Sequence, residues 1–370
     1  MATSAPSSSV DDVLRHVRSA VRNEKAYVVG APSRAEVKLN QNESPYDLPA
    51  DVRDELHEHL AALQANRYPA EQPHQLCAAL AEAHGITPEH ILVGNGSNEL
   101  TYTFGLCFID PGTPVVLPRP MFSLYEKVAH LYGADLTSVG PRDDLSFDTD
   151  ALVDAVQRTG AAFTVLTSPN NPTGLAMPLA EIERVVDAAP GIVVVDEAYV
   201  EFNPEGSALS LLDAHPNVVI MRTFSKAYGL AGLRLGYIMA HPRLVREVTK
   251  SRLPFMVDRL AEAAGLALLE RPALIAERVE QMKDSCARLT EALAARSGVT
   301  VVPSQANFVL FEPPGEATRL QERLADRGVL VRNMGGYASL AGFLRVAAGT
   351  PAENKAFLEA LDDALHERGA

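Results

Sequence analysis

Four places in the chain set reactive side chains directly behind a short apolar run. Ile91-Leu92-Val93 leads into Gly94-Asn95-Gly96-Ser97-Asn98, and the run from Ala162 to Leu166 leads into Thr167-Ser168-Pro169-Asn170-Asn171. Ile192 to Val195 ends at Asp196, with Tyr199 close behind, and Val218 to Met221 is followed by Ser225-Lys226. The set holds an amine, a carboxylate, a phenol, side-chain amides and a glycine-rich helix start. An amine condenses with an aldehyde. A carboxylate can keep a proton on a ring nitrogen, and a phenol and an amide can hydrogen-bond a ring oxygen. A helix N-terminus with small residues receives a phosphate, and an arginine adds charge-assisted bonds. Taken singly, each place has an ordinary reading: Asp196 as a helix cap or loop residue, Asn171-Pro172-Thr173-Gly174 as a turn, Lys226 as a surface lysine. Lysine is scarce here, however. Lys226 is one of only seven, the rest of the 33 basic residues being arginine.

What would bring these places together is the alternation around them. Pro114 to Leu117 is another strand-like run, and helical spacing begins at Asn98 and recurs over Ser123 to Tyr132 and Leu179 to Ala188. Short Val/Ile runs without polar alternation are strands covered on both faces, and helices between them complete a βαβ pattern. The expected fold is α/β, with a mainly parallel central sheet and helices on both faces. Ligands of such sheets gather beyond the carboxyl ends of the strands, where all four places would lie. Ahead of the sheet, the spacing predicts helices over Val10 to Asn23, Asp51 to Leu63 and Pro73 to His84, with a polar connector from Glu36 to Pro45. Beyond Pro254 the pattern changes. Long helical stretches (Arg259 to Leu269, Pro272 to Ala295) precede short strands near Val299 to Val302, Asn307 to Phe311, Leu330-Val331 and Phe343 to Val346, and a last helix over Pro351 to Glu367. At roughly 150 residues per domain, a chain of 370 residues holds about two. The expected division is an N-terminal arm and helix at 1–45, a large cofactor-binding α/β domain at 46–254 and a small α+β domain at 255–370.

On one sheet edge the four places complement one cofactor, pyridoxal 5'-phosphate. Lys226 would form the Schiff base and Asp196 would face the pyridine nitrogen. Ser225 directly before the lysine and Arg234 eight residues after it would serve the phosphate. The wider set of motifs carries a resemblance. Asn40-Gln41-Asn42-Glu43, Asn66-Arg67-Tyr68-Pro69, Gly94 to Glu99, Ser168 to Gly174 (SPNNPTG), Asp196 to Tyr199 (DEAY), Ser225 to Gly236 (SKAYGLAGLRLG), Leu330-Val331-Arg332 and Leu344-Arg345-Val346 occur in that order. The chain resembles the fold-type I, class II aminotransferases. The N-x-N-E and R-Y-P pieces are most similar to the histidinol-phosphate aminotransferase branch.

The resemblance implies roles for individual residues. Lys226 matches the Schiff-base lysine and proton shuttle, Asp196 the pyridinium partner, and Asn171 and Tyr199 the groups on the 3-oxygen. Ser97, Asn98, Ser225 and Arg234 match the phosphate cradle. Tyr68 matches a tyrosine that reaches the cofactor phosphate of a neighbouring subunit, which implies a homodimer. Arg345 matches an arginine for the donor carboxylate or another anionic group, while Arg332 and Tyr27 match residues near a substrate phosphate, and Asn42 joins them on the substrate side. Phe122 stands where the family often has a tyrosine stacked on the pyridine ring, so stacking is retained and a hydroxyl is lost. The implied reaction is transamination between L-histidinol phosphate and 2-oxoglutarate, giving imidazole-acetol phosphate and glutamate, a step of histidine biosynthesis. Aromatic amino acid aminotransferases and threonine-phosphate decarboxylases share the cofactor constellation and stay open as alternatives, as does a pyridoxal-phosphate protein that no longer catalyses.

Other classes fit poorly. The formal net charge of -14 repels nucleic-acid backbones and anionic membranes, which argues against either as a partner. Gly94-Asn95-Gly96 begins like a dinucleotide fingerprint, but Glu99 occupies the place of the third glycine. His57 and His59 lie two apart on an expected helix and face different ways, so no metal site is expected. Cys77, Cys107 and Cys286 form no CxxC pair and read as reduced thiols. With no signal-like stretch near Met1 and no run of ~18 apolar residues, the expected compartment is the cytoplasm.

Overall fold

The computed structural model describes residues 9–26 and 35–366. Two short helices, α1 (Val10–Leu14) and α2 (Ser19–Arg22), stand where a continuous Val10–Asn23 helix is expected. Neither buries a residue. A helix this short has little intrinsic stability without a packed face, so the break costs little. Val37–Lys38 forms β1, followed by α3 (Ala50–Ala62) and α4 (His74–His84).

The large sheet takes β2 (Ile91–Gly94), β3 (Pro114–Pro118), β4 (Asp135–Val139), β5 (Phe163–Thr167), β6 (Ile192–Asp196), β7 (Val218–Thr223) and β8 (Gly236–Ala240), in the order β2-β8-β7-β6-β5-β3-β4. Strands β4, β3, β5, β6 and β7 are parallel. Only β8 runs antiparallel to its two neighbours, β7 and β2. Two of these strands have no clear signal in the sequence. β4 is a half-exposed edge strand carrying Asp135, Thr137 and Ser138, and β8 begins at a glycine. Helices α5 (Gly96–Phe108), α6 (Leu124–Tyr132), α7 (Thr149–Thr159) and α8 (Leu179–Ala188) connect the strands, and the sheet carries a hydrophobic core on each side. The expected α/β architecture is thus present.

After α9 (Pro242–Lys250) come α10 (Arg259–Leu269) and the long α11 (Pro272–Ala294). The second sheet has the order β12-β13-β10-β9, built from β9 (Thr300–Val302), β10 (Phe308–Glu312), β12 (Arg332–Asn333) and β13 (Leu344–Ala347). β11 (Val329–Leu330) pairs instead with β1. Helices α12 (Ala317–Asp326) and α13 (Pro351–His366) cover this unit.

Elements on both sides of residue 254 pack together. Helix α10 lies against α3 and α4, and Ile275, Val279 and Met282 of α11 share the core of the large sheet. Cys286, Leu289 and Leu293, further along α11, belong to the second core, as does Leu39 from the N-terminal side. One long helix, α11, thus contributes to both cores.

Among the described residues no helix is long and apolar enough to cross a membrane. Nor does any cluster of three or more His, Cys, Asp or Glu among them suit a metal ion.

Candidate active site

The strands end as their composition requires. In β2 and β6 apolar residues fill the strand, and the polar side chains appear at its end or just beyond. Twelve of the candidate residues consequently line a single cavity of about 870 Å³: Ser97, Asn98, Phe122, Asn171, Asp196, Tyr199, Ser225, Lys226 and Arg234 from the large unit, Arg332 and Arg345 from the second sheet, and Asn42 from the segment between them.

At one end, helix α5 opens with Gly96 in a left-handed conformation (φ 75°). The Arg234 guanidinium lies against it: a Cβ at residue 96 would come within 2.3 Å of Arg234 Nη2. Arg234 Nη1 donates to the Ala231 carbonyl (3.1 Å) and reaches Ser225 Oγ (3.5 Å). Glu99 does not serve a nucleotide fingerprint. Its carboxylate accepts from the Asn95 N–H (3.1 Å) and pairs with the buried Arg252 (3.0 Å), which anchors the helix start.

Asp196 ends β6 and is buried. Its Oδ2 accepts from the Tyr125 hydroxyl (2.7 Å) and its Oδ1 from the Ala198 N–H (3.1 Å). Burial pushes its carboxyl up to about 6, against the pull of those two donors. The next residue of the motif does something else. Glu197 accepts from Ser207 and the Ala208 N–H and pairs with Arg222 (2.9 Å), an internal ion pair that lines no part of the cavity.

Lys226 follows β7. Its Nζ donates to the Gln41 carbonyl (3.1 Å) and lies 5.8 Å from the centroid of the Tyr199 ring. Burial lowers its ammonium to about 8, helped by the positive charges of Arg345 and Arg234 and opposed by Glu43 and Asp196. The Tyr199 hydroxyl accepts from Asn42 Nδ2 (3.0 Å). Asn42 itself sits at φ 52°, a left-handed conformation that asparagine tolerates better than most residues.

The segment around Asn42 ties the second sheet to the lysine. Asn307 Nδ2 donates to the Asn42 carbonyl (3.2 Å), and Arg345 Nη2 donates to the Asn40 carbonyl (3.0 Å). Arg345 Nη1 donates to Asn171 Oδ1, joining the second sheet to the loop after β5. Arg332 faces Arg345 in register across the β12–β13 pair. Neighbouring Asn170 is structural: it bonds Thr167, Thr173 and the Pro120 carbonyl.

One described candidate is not at this cavity. Tyr68 is 79% exposed and stacks on Phe255 (4.9 Å between centroids). Tyr27 lies outside the described residues. The structure adds residues that the sequence did not single out. Glu43, Arg119, Glu126 and Tyr337 also line the cavity, with Arg119 paired to Glu126. Tyr125 falls inside the expected helix Ser123 to Tyr132, where nothing in the local sequence marks it as a site residue.

The donor set fits pyridoxal phosphate. A lysine of lowered pKa and a buried carboxylate share one cavity, and beside them the helix start holds a glycine at positive φ with a guanidinium against it.

Comparison with known proteins agrees with this geometry. A profile of the family "Aminotransferase class I and II" matches residues 34–361. The chain is 41% identical over 342 residues to histidinol-phosphate aminotransferase of Chlorobaculum tepidum, covering 92% of this chain and 98% of that one. Among solved structures it is similar to histidinol-phosphate aminotransferase from Sinorhizobium meliloti in complex with pyridoxal-5'-phosphate (TM-score 0.85, 29% identity, 90% of this chain and 92% of that one). It is also similar to L-threonine-O-3-phosphate decarboxylase from Porphyromonas gingivalis (TM-score 0.78, 26% identity, 89% and 99%).

Proposed function

The chain belongs to the class I and II aminotransferases, and on that premise we propose that it transfers an amino group between L-histidinol phosphate and 2-oxoglutarate, using pyridoxal 5'-phosphate held on Lys226. The observation that carries the substrate choice is the pair Arg332 and Arg345, opposite one another on adjacent strands and both lining the cavity that contains Lys226. Histidinol phosphate carries an amine, an imidazole and a phosphate but no carboxylate. A guanidinium fork matches that phosphate in one half-reaction and the carboxylates of 2-oxoglutarate in the other. At a net charge of -14 the protein as a whole does not attract anions, so recognition falls to these local groups.

When bound, the cofactor supplies an electrophilic carbon for an amine and a ring that takes up the electrons of a broken C–H bond. The chain supplies the rest. Ser97, Asn98, Ser225 and Arg234 would hold the phosphate, Asn171 and Tyr199 would hydrogen-bond the ring oxygen, and Phe122 would offer an apolar face to the ring. Asp196 would favour a proton on the ring nitrogen. Lys226, with its pKa lowered to about 8, exists partly as free amine at neutral pH and could take up the proton from the substrate carbon that bears the amine.

A transamination panel tests the substrate. With 2-oxoglutarate as acceptor, histidinol phosphate is expected to outperform phenylalanine, tyrosine and aspartate. Arg332→Ala is expected to lower kcat/KM for histidinol phosphate about 10–100-fold more than for phenylalanine, whose side chain has no anion to pair. The ratio cancels a general folding defect. A wild-type preference for phenylalanine or tyrosine would replace this reading with an aromatic aminotransferase, and Phe122 would then belong to an apolar pocket. Release of carbon dioxide from threonine phosphate would replace it with the decarboxylase.

The exposed Tyr68 supports a homodimer in which this residue completes the other subunit's phosphate cradle. Leu253 and Phe255, both exposed, extend the apolar surface beside it. Neither Lys226→Ala nor Tyr68→Phe subunits alone should be fully active. Mixed and re-equilibrated, they should regain activity, because one site of each mixed dimer pairs a native Lys226 with a native Tyr68 of the partner subunit. An active monomer in the ultracentrifuge would rule this out.

A further inference from the structure

The carboxylate of Asp196 is held from two directions, and one holder belongs to a different element. Tyr125, in the first turn of α6, is 3% exposed and donates its hydroxyl to Asp196 Oδ2 at 2.7 Å. The Ala198 N–H takes the other oxygen, so both oxygens, and with them the carboxylate plane, are fixed. The tyrosine is itself braced. The Phe122 ring meets it edge-on at 6.4 Å and 84°, and Phe122 lines the cavity while packing with the Tyr125 core. Thr101 of α5 adjoins the phenol and donates to the Ser97 carbonyl (3.0 Å) at the start of that helix. Tyr125 thus stands between the carboxylate, the ring-facing phenylalanine and the helix that begins at the phosphate end.

The geometry points to Tyr125 as the positioning residue that aims Asp196 at the cofactor's ring nitrogen and keeps it ionised there. This rests on the reading of Asp196 as the pyridinium partner. The charged and titratable groups facing Asp196 are few. Glu197, next in the chain, raises its proton affinity, and Lys226, from the loop after β7, lowers it. Tyr125 from α6 also lowers it, through its hydrogen bond. Burial opposes ionisation more than any one of these favours it. Burial and the carboxylate beside it push the Tyr125 phenol well up, so Tyr125 remains a donor at every working pH. A buried carboxylate that loses its hydroxyl donor binds a proton more tightly, and a neutral acid no longer holds the ring nitrogen charged.

The test compares Tyr125→Phe, Asp196→Asn and the double variant as holoenzymes. Three readouts are followed: kcat against pH, the pH titration of the bound cofactor's visible absorbance, and cofactor dissociation. Tyr125→Phe is expected to move the acid limb of both pH profiles up by about one unit or more. It should lower kcat about 10- to 100-fold at neutral pH, with KM changed far less. In the Asp196→Asn background the same change should add little, since the residue acts through that carboxylate. Replacing Tyr125 with 3-fluorotyrosine, a stronger donor of nearly the same shape, should move the acid limb down, a response that a purely structural role would not give. Unshifted profiles in Tyr125→Phe and in the fluorinated protein would overturn the proposal, as would full additivity in the double variant. If Asp196→Asn alone leaves absorbance and rate unchanged, the reading of Asp196 itself fails. If Asp196→Asn is impaired and Tyr125→Phe is not, only the role of Tyr125 fails.

Discussion

Lys226→Ala is expected to leave a folded protein whose transamination is slower by about 10⁴-fold or more. On the proposed reading the substitution removes two functions at once, the amine that would bond the cofactor and the group that would carry the proton, the second alone being worth about 10²–10⁴-fold. The fold should survive because the lysine head makes one hydrogen bond, to the Gln41 carbonyl, and packs no core. Single-turnover absorbance changes on adding the amino donor measure the loss. In the wild-type protein, borohydride reduction and peptide mapping should find the pyridoxyl group on residue 226, and an adduct on any of the other six lysines would overturn the assignment. The lowered pKa adds a signed expectation. Only the neutral amine attacks, so the rate at which the apo-protein takes up cofactor should rise with pH and level off above about 8. Uptake that keeps rising to pH 10 would mean the buried, arginine-flanked environment does not act on this lysine.

Asp196→Asn is expected to keep the fold and bind cofactor, yet lose about 10³-fold in the half-reaction, the scale of removing one preorganised electrostatic group. An amide is nearly isosteric with the acid. Its Oδ1 can still accept from the Ala198 N–H, and its Nδ2 can donate to the Tyr125 oxygen, so the positions bonded at 3.1 and 2.7 Å keep a partner, the second with its direction reversed. What it lacks is the negative charge that keeps a proton on a ring nitrogen. Rates should be followed with histidinol phosphate, alongside melting temperature and cofactor dissociation. Near-normal turnover would leave the carboxylate a structural role only.

These two residues were legible without coordinates for a simple reason. A strand buried on both faces must be apolar, so Asp196, the first charged side chain after Ile192–Val195, announces a strand end, while Lys226 stands just beyond the apolar run Val218–Met221, past Arg222, which still belongs to β7. Strand ends of a parallel sheet share one edge, which is why Gly96, Asn171, Asp196 and Lys226 could be assigned to one site from order alone. The same logic fails where the pattern is weak. β4 is polar because it is a sheet edge, and β8 enters the sheet between β2 and β7 although it comes last of the seven in the chain. The DEAY motif gave no hint that Glu197, next to Asp196, turns away from the cavity to Arg222.

The sequence by itself determined the chemistry of this protein: a single motif-borne lysine, a carboxylate at a strand end and a glycine at a helix start, each forced into place by local burial and backbone rules. The tertiary structure decided everything that depends on residues distant in the chain. It set Tyr125 against Asp196 across 71 positions and Arg345 against Asn171 across 174. It brought the Gln41 carbonyl to Lys226 across 185. It left Tyr68 facing solvent, away from the cavity of its own chain. Periodicity reports only which face of an element is buried, and it is the packing of whole elements that selects which buried side chain meets which.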